Sequence, residues 1–350
     1  MTAYIGIYFI LILTSLTIKD RNSLIAFLLI GLFLIIFMGL RHEVGCDYGA
    51  YNFRFSYSHA FVLDTLPFIS NEWGFSLLTY MMQELTGSFE AFLTLISAIL
   101  VICYVTFARA FHGSLTILAL LFPIIIVQLG MSGVRQALAG GFLMLSAVSF
   151  VKGHRWLVAA WILVGFQFHT SIIVFLPIAL LAGRNISMVR LLGVLIVVTP
   201  VVALLIGDRL DLYSDRYIEQ VYGTQDAKGG IIRYGLVMIS VIMFAFYSHF
   251  IRRDFPEVFP LLKLFAWISA SLIILLPLST VALHRFSFYV MPLSILTFHY
   301  LAISAVVRNQ RLAAQSVPII LYGLYSISWL ALSGHAAKCY LPYQNWLFIF

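Results

Sequence analysis

The stretch SLIAFLLIGLFLIIFMGLRHEVGCDYGAY, residues 23–51, joins an apolar run directly to a polar turn. The run at 23–40 is long enough to cross a bilayer as a helix. The polar residues that follow it are Arg41, His42, Glu43, Asp47 and Tyr51. A site that binds an anion and moves a proton needs such a mixture of cation, carboxylate and phenol. The simpler interpretation is an arginine that snorkels at a helix end, followed by an ordinary polar loop.

The composition of the whole chain is that of a membrane protein. Of its 350 residues, 62% are hydrophobic and 10% are charged, whereas about 25% are charged in a typical soluble domain. We therefore predict an all-α, polytopic integral membrane protein in which residues 1–350 form a single transmembrane domain. The net charge of +7 does not indicate nucleic-acid binding, because the basic residues lie in short loops and mark orientation. The first run has neither a preceding Lys or Arg nor a cleavage site, so we expect a retained span.

Apolar runs long enough to span a membrane recur along the chain. They lie at Ala3–Ile18, Ser23–Leu40, Phe89–Ala108, Leu115–Leu129, Ala137–Val151, Met188–Ile206, Ile231–Phe250, Phe259–Leu278, Phe286–Val306 and Ser316–Leu332. One further segment, Trp156–Leu181, is either a single long helix or two short helices that break at Gln167–Ser171.

Loop charges favour the broken form of this segment. With the break and an outer amino terminus, most basic loop residues face the cytoplasm, as the positive-inside rule requires. An unbroken helix would move six arginines outside, namely Arg184, Arg190, Arg252, Arg253, Arg308 and Arg311. We therefore predict about twelve membrane segments, with both termini outside and the tip of a short broken hairpin pointing outward.

Two of the predicted outer loops are long. The first, residues 41–88, contains an apolar stretch at 74–85 that is too short to span and suits an interfacial helix. The second, residues 208–230, is rich in charged residues and is most simply a solvated loop. Both loops can also lie over the membrane as lids.

Three arginines stand alone at the outer ends of predicted spans, namely Arg41, Arg135 and Arg285. Charge near the bilayer is costly, so residues of this kind often have a function. The planar guanidinium matches phosphate oxygens, and three of them at one membrane face suit a diphosphate attached to a lipid. The alternative for each is that it caps helix carbonyls or snorkels to lipid head groups.

A general base is the second requirement of such a site, and three residues are candidates. His169 lies at the break, where a polar segment is tolerated only inside protein or beside a water-filled cavity. Asp47 and Glu72 lie on loops next to apolar segments. The structural alternatives are a buried, hydrogen-bonded histidine and carboxylates that form salt bridges to the arginines. Weaker candidates for the same site are Tyr51, His284 and Tyr289.

The sequence does not indicate metal chemistry. No Asp-x-Asp pair and no His/Cys ligand spacing is present, so we expect no catalytic metal and no other cofactor. Cys103 lies inside an apolar run and is expected to belong to the core. Cys46 and Cys339 fall on the same side of the predicted topology, and the sequence leaves open whether they form a disulfide.

An ordered set of short motifs resembles a known family. The motifs are Arg41-x-x-x-Gly45-Cys46-Asp47-Tyr48-x-x-Tyr51, Glu72-Trp73-Gly74-Phe75, Val134-Arg135-Gln136-x-x-Ala139, His169-Thr170-Ser171, Arg285-x-x-x-Tyr289 and the closing Tyr340-Leu341-Pro342-Tyr343-Gln344-Asn345. In this order, over nearly the whole chain, they resemble the EpsG-like branch of the Wzy-type polysaccharide polymerases. One departure is Cys46, because that family usually has Thr before the aspartate.

The resemblance implies a bacterial inner-membrane enzyme with the architecture of GT-C-type membrane glycosyltransferases. Such an enzyme passes a growing O-antigen or capsule glycan from undecaprenyl diphosphate to the next lipid-linked repeat unit at the periplasmic face. Its partners are then an undecaprenyl-diphosphate-linked oligosaccharide and membrane lipids, and a chain-length regulator is a further expectation. In such an enzyme we expect Arg41, Tyr51, Arg135, Gln136, Arg285 and Tyr289 to bind the substrate and its diphosphate. The base is left open among Asp47, Glu72 and His169.

Two other functions stay open at this stage. An O-antigen ligase, or a transferase that uses a polyprenyl-phosphate sugar, needs the same outer face. A flippase or other transporter of lipid-linked oligosaccharides should carry polar residues deep in several spans, often in paired halves. In this sequence the polar residues gather at the outer ends of the spans, which favours an enzyme.

Overall fold

A computed structural model describes residues 1–18, 24–63, 72–112, 114–182, 228–304 and 311–348, with a few positions between 187 and 196. Over these residues the protein is helical and has no β-strand, as the predicted all-α class requires. Most of the predicted span at 188–206 and of the predicted loop at 208–230 lies outside the described residues. The last residues of that loop, from Lys228 onward, already belong to a helix.

The described residues form a series of helices. In the amino-terminal part they are α1 Thr2–Thr17, α2 Leu24–Gly39, α3 Tyr48–Ser56, α4 Ser58–Leu63, α5 Trp73–Thr86, α6 Phe89–Ala110, α7 Leu115–Leu121, α8 Val134–Val151 and α9 Arg155–Phe166. A π-helix, Phe122–Leu129, continues α7, and a 3₁₀ helix, Thr170–Leu181, follows α9. The later helices are α10 Lys228–Asp254, α11 Phe259–Ser271, α12 Leu275–Leu278, α13 Thr280–Ile303, α14 Arg311–Leu332 and α15 Gly334–Cys339.

The apolar helices are those of a membrane protein. Within the described residues, six are long and apolar enough to cross a bilayer, namely Phe89–Ala110, Val134–Val151, Gly229–Asp254, Phe259–Leu278, Thr280–Ile303 and Ala313–Leu332. Shorter apolar helices lie at Thr2–Thr17, Leu24–Gly39, Leu115–Leu129, Arg155–Phe166 and Thr170–Leu181. The total of about twelve segments and the GT-C-like architecture stay predictions.

The predicted break in the 156–181 segment is confirmed. Helix α9 ends at Phe166, and the backbone leaves regular helix at 167–169 before the 3₁₀ helix begins. The sequence did not predict that the second half would be a 3₁₀ helix. This helix contains Pro177, which has no amide hydrogen for an α-helical bond and so weakens the α form at this point.

The described chain divides into two compact units. The first contains Met1–Val148, Trp161–Ile172 and Val317–Phe350, and the second contains Ser149–Ala160 and Ile173–Ser316. In the first unit, α2 packs so closely on α6 that a Cβ at Gly39 would lie 2.7 Å from the Cα of Thr94. A glycine at the end of α2 therefore allows the polar turn after it to start against α6.

The carboxyl-terminal segment at 340–345 is also part of the first unit. The Tyr340 hydroxyl donates to the Gln128 carbonyl at 2.9 Å, and the Tyr343 hydroxyl donates to the Phe37 carbonyl at 2.8 Å. Tyr4 donates in turn to the Tyr340 carbonyl at 3.0 Å. These bonds tie the chain end to α1, α2 and the π-helix, so the tyrosines of the closing motif have a structural role.

Candidate active site

The amino-terminal end of α5 is built against the break after α9. Glu72 precedes α5 with left-handed backbone angles, φ 54° and ψ 48°. A Cβ at Gly74 would lie 2.7 Å from the Cβ of Gln167, so this close approach requires glycine. The Phe75 amide donates to the Gln167 carbonyl at 3.2 Å. The Glu-x-Gly-Phe pattern is thus the docking element that brings Glu72 to His169.

Glu72, His169 and Arg135 form one cluster. Glu72 Oε1 lies 2.6 Å from His169 Nδ1, and Arg135 Nη1 donates to Glu72 Oε2. The side chains of Glu72 and His169 are 8% and 12% exposed, whereas that of Arg135 is 37% exposed. The carboxylate is therefore enclosed, while the guanidinium still reaches the surface of the first unit.

The charge state of Glu72 follows from its two partners. Burial is the largest influence and raises its pKa, but the hydrogen bond from His169 and the positive charge of Arg135 together outweigh burial and lower the pKa to about 2. An ionised carboxylate only accepts hydrogen bonds, so the proton between the two side chains belongs to His169 Nδ1. The Nε2 atom of a neutral His169 then carries the free lone pair.

Arg135 also contacts two aromatic residues that approach from other helices. The Tyr51 hydroxyl of α3 forms a hydrogen bond with it, and the Arg135 guanidinium carbon lies 6.0 Å from the centroid of the Phe75 ring. The Tyr51 and Phe75 rings are 5.7 Å apart. Tyr51 is buried, and burial raises the pKa of its hydroxyl. The structure therefore places Tyr51 beside Arg135.

Arg41 occupies a different environment from Arg135. Its side chain is 1% exposed, and it donates from Nε to the Val44 carbonyl at 3.1 Å and from Nη1 to the Met38 carbonyl. Burial lowers its pKa to about 10. These bonds fold the polar turn back onto the end of α2. That Arg41 also binds a diphosphate stays a prediction.

The polar turn is joined covalently to the end of the chain. Cys46 and Cys339 form a disulfide with a Cα–Cα distance of 4.8 Å, which answers the question that the sequence left open. The Gly45 amide donates to the Cys339 carbonyl at 2.7 Å. Gly45 has a φ of 104°, and a Cβ there would collide with the Met131 carbonyl. The turn that contains the disulfide therefore packs at Gly45 directly against Met131, in the segment that leads to Arg135.

The remaining predicted residues lie in both units. Asp47 is exposed at the amino-terminal end of α3, and its charge acts on the Tyr51 hydroxyl. Gln136 is buried on α8 next to Arg135. In the second unit, Arg285 is exposed on α13 and Tyr289 is buried one turn later, with its ring 5.4 Å from that of Phe175. The roles of these four residues stay predictions.

Arg54 lies next to the cluster, although it is not among the predicted site residues. Its Nη2 donates to Ser76 Oγ at 2.7 Å, and its guanidinium carbon lies 5.3 Å from the Phe75 centroid. The signal was the spacing from Tyr51, because residues three apart share a face of a helix. The sequence predicts residues 41–88 as a loop with one interfacial helix at 74–85, and in a loop a spacing of three residues carries no information.

The fold and the site together define a helical membrane protein with an enclosed carboxylate–histidine pair and arginines around it. A model of the EpsG family matches residues 24–345, nearly the whole chain, and the protein therefore belongs to the EpsG family. Comparisons with curated proteins and with solved structures gave no match. Family membership indicates a membrane protein of polysaccharide biosynthesis with a glycosyltransferase-like polymerase activity.

Proposed function

We propose that this protein is a bacterial polysaccharide repeat-unit polymerase of the inner membrane. It transfers a growing O-antigen or capsule glycan from undecaprenyl diphosphate to the next lipid-linked repeat unit, at the periplasmic face. The observation that carries this proposal is the Glu72–His169–Arg135 cluster in a helical membrane protein of the EpsG family. The cluster combines a proton acceptor with a cation, as this reaction needs.

In this proposal His169 is the general base. Glu72 is ionised and has a pKa far below neutrality, so it is a weak base. It instead holds the imidazole with Nδ1 protonated and stabilises the imidazolium that forms when Nε2 accepts a proton. Of the three candidates that the sequence left open, His169 is therefore the base and Glu72 is its positioning residue.

The bond changes of the transfer are simple. The acceptor sugar hydroxyl loses its proton to His169 Nε2 as its oxygen attacks C1 of the reducing-end sugar of the growing chain. The bond from C1 to the lipid diphosphate breaks, and the diphosphate leaves with the electron pair. Arg135 stabilises the negative charge of this leaving group, and Tyr51 fixes the position of the guanidinium. Catalysis then consists mainly of positioning and electrostatics.

Three further residues of the family motifs, Gln136, Arg285 and Tyr289, are also proposed to bind the substrate. Gln136 lies next to Arg135 on α8, where its amide can bind a sugar or phosphate oxygen. Arg285 and Tyr289 are the proposed substrate-binding residues of the second unit. The partners are lipid-linked oligosaccharide and membrane lipids, and no step of the proposed reaction uses a metal ion.

The disulfide supports the periplasmic placement of this site. Disulfides persist in oxidising compartments and are rare in the bacterial cytosol. Cys46 lies directly before Asp47, in the turn that leads into the helix of Tyr51, and its bond to Cys339 fixes that turn. In the predicted topology both cysteines are outside, so the site and the disulfide share one face.

Expression in a defined bacterium tests the proposed function. The host makes the matching lipid-linked repeat unit but lacks its own polymerase. We expect a glycan ladder of many repeats that depends on this gene. A single-repeat band at good expression would contradict the proposal. In a host that instead lacks its ligase, repeats joined to lipid A would favour a ligase, and in a host that lacks its flippase, translocated repeats without chain growth would favour a flippase.

A further inference from the structure

Arg54 and Arg135 approach the same aromatic ring from different helices. Both guanidinium carbons lie near the Phe75 centroid, at 5.3 Å for Arg54 and 6.0 Å for Arg135. The two guanidinium carbons are therefore no farther apart than the sum of these two distances. Phe75 itself is fully buried, and its amide is bonded to the chain at Gln167. The Phe75 ring is thus held in place and contacts the guanidinium groups of both Arg54 and Arg135.

The position of Arg54 is set before any ligand binds. Its Nη2 donates to Ser76 Oγ at 2.7 Å, and Ser76 is buried. Helix α3 places Arg54 three residues after Tyr51, whose ring also packs on Phe75. A guanidinium has five N–H donors, and the bond to Ser76 uses one of them.

The charges of this cluster favour an anionic ligand. Burial lowers the pKa of Arg54, and the positive charge of Arg135 also lowers it, whereas Glu72 and Tyr51 raise it. Glu72 is shared between Arg135 and His169. Arg54 and Arg135 thus repel each other, and an anion that contacts both guanidinium groups would offset that repulsion.

We propose that Arg54 is the second cation of the anion site at Arg135, and that it makes this site select a lipid diphosphate over a lipid monophosphate. The inference rests on the proposed function and adds the residue that sets head-group specificity. One guanidinium can pair with one phosphoryl group, whereas two guanidinium groups on one ring can pair with both phosphoryl groups of a diphosphate. A monophosphate makes use of only one of them.

The structural alternative is that Arg54 only ties α3 to α5 through Ser76. That role would affect stability and all ligands alike, whereas the proposed role affects one head group. The discriminating quantity is the ratio of the dissociation constants for undecaprenyl diphosphate and undecaprenyl monophosphate. The full-length protein in lipid nanodiscs serves for both measurements.

We expect Arg54→Gln to weaken undecaprenyl diphosphate binding about tenfold and to leave monophosphate binding within about twofold of the original protein. Arg54→Lys, which keeps the charge, should recover most of the diphosphate affinity. Arg253→Gln is the matched control, because Arg253 is exposed and paired with Asp254. Equal weakening for both lipids, or no weakening for the diphosphate, would overturn the proposal.

A labelling experiment on the unchanged protein covers the case in which Arg54→Gln does not fold. Phenylglyoxal modifies accessible arginines, and mass spectrometry locates them. Undecaprenyl diphosphate should protect Arg54 at least threefold better than the monophosphate, with Arg253 labelled equally throughout. Equal labelling of Arg54 with either lipid would contradict the assignment. Neither experiment requires polymerisation, so a protein that binds as expected but makes no polymer would defeat only the proposed function.

Discussion

Glu72 Oε1 and His169 Nδ1 lie 2.6 Å apart, although 97 residues separate them in the sequence. Two local features produce this contact. The backbone at Glu72 is left-handed, and the glycine two residues later lets α5 touch the chain at Gln167. This contact fixes the position of the His169 imidazole at the break in the membrane segment.

Removing the imidazole should abolish most of the activity while the protein still folds. We expect His169→Ala to reduce polymer formation about 100-fold or more at equal protein level, because it removes the proposed base. His249→Ala is the matched control, since His249 is exposed on α10 in the second unit. The readout is the glycan ladder on a gel. A normal ladder from His169→Ala would exclude the base role.

Because of Glu72, the stability of the protein should fall as the pH is lowered through the acidic range. Its pKa is about 2 in the folded protein, against an ordinary value of 4.5. Its ionised form therefore contributes stability that is fully present above the ordinary value and is lost as the pH falls towards the folded value. Above pH 5, where Glu72 is ionised, we expect the melting temperature of Glu72→Gln to lie below that of the original protein.

Below that pH the two melting temperatures should converge, because protonation then removes the same charge from the original protein. Thermal melts of both proteins across the acidic range provide the measurement. A difference that stays the same down to the lowest pH would mean that the charge of Glu72 is not what stabilises the cluster.

Gly74 should be intolerant of even the smallest side chain. A Cβ there would lie 2.7 Å from Gln167 Cβ and 3.2 Å from its carbonyl oxygen, so Gly74→Ala should push α5 away from the break and separate Glu72 from His169. We expect a loss of polymer of about tenfold or more. Gly49→Ala is the control, since no atom lies within 4 Å of a Cβ at Gly49. Equal activity of the two variants would contradict the docking role of Gly74.

Loss of either cysteine of the disulfide should destabilise the protein by the same amount. We expect Cys46→Ser, Cys339→Ser and the double variant to lose the same stability, about 2–5 kcal/mol, because each removes the same bond. Cys103→Ser serves as the control for a cysteine outside the disulfide. The measurement is thermal unfolding with and without a thiol reductant. Additive losses, or a free thiol at Cys46 in untreated protein, would contradict the bond.

Several parts of this structure followed from the sequence because their physical causes are local or strongly constrained. The break at 167–171 was predictable because a polar tip in an apolar segment, together with the loop charges, favours two short helices. The shared side of Cys46 and Cys339 followed from the same topology. The three-residue spacing in α3 was visible, but a short helix inside a long polar loop leaves little apolar periodicity.

Other parts depend on tertiary contacts that the sequence does not encode locally. The environment of Arg41 could not be predicted, because its hydrogen-bond acceptors are backbone carbonyls of a turn whose path was unknown. The π-helix at Phe122–Leu129 arises in a fully buried segment whose composition suits an ordinary span. The choice of His169 as the base required the contact with Glu72, which only the folded chain reveals.

The most direct test of the central claim uses purified protein in liposomes with a synthetic repeat unit on undecaprenyl diphosphate. The account predicts longer glycans on the lipid, with one undecaprenyl diphosphate released for each new linkage and neither product formed by His169→Ala. If the folded protein binds the lipid-linked repeat but releases no diphosphate and extends no glycan, the protein is not the polymerase proposed here.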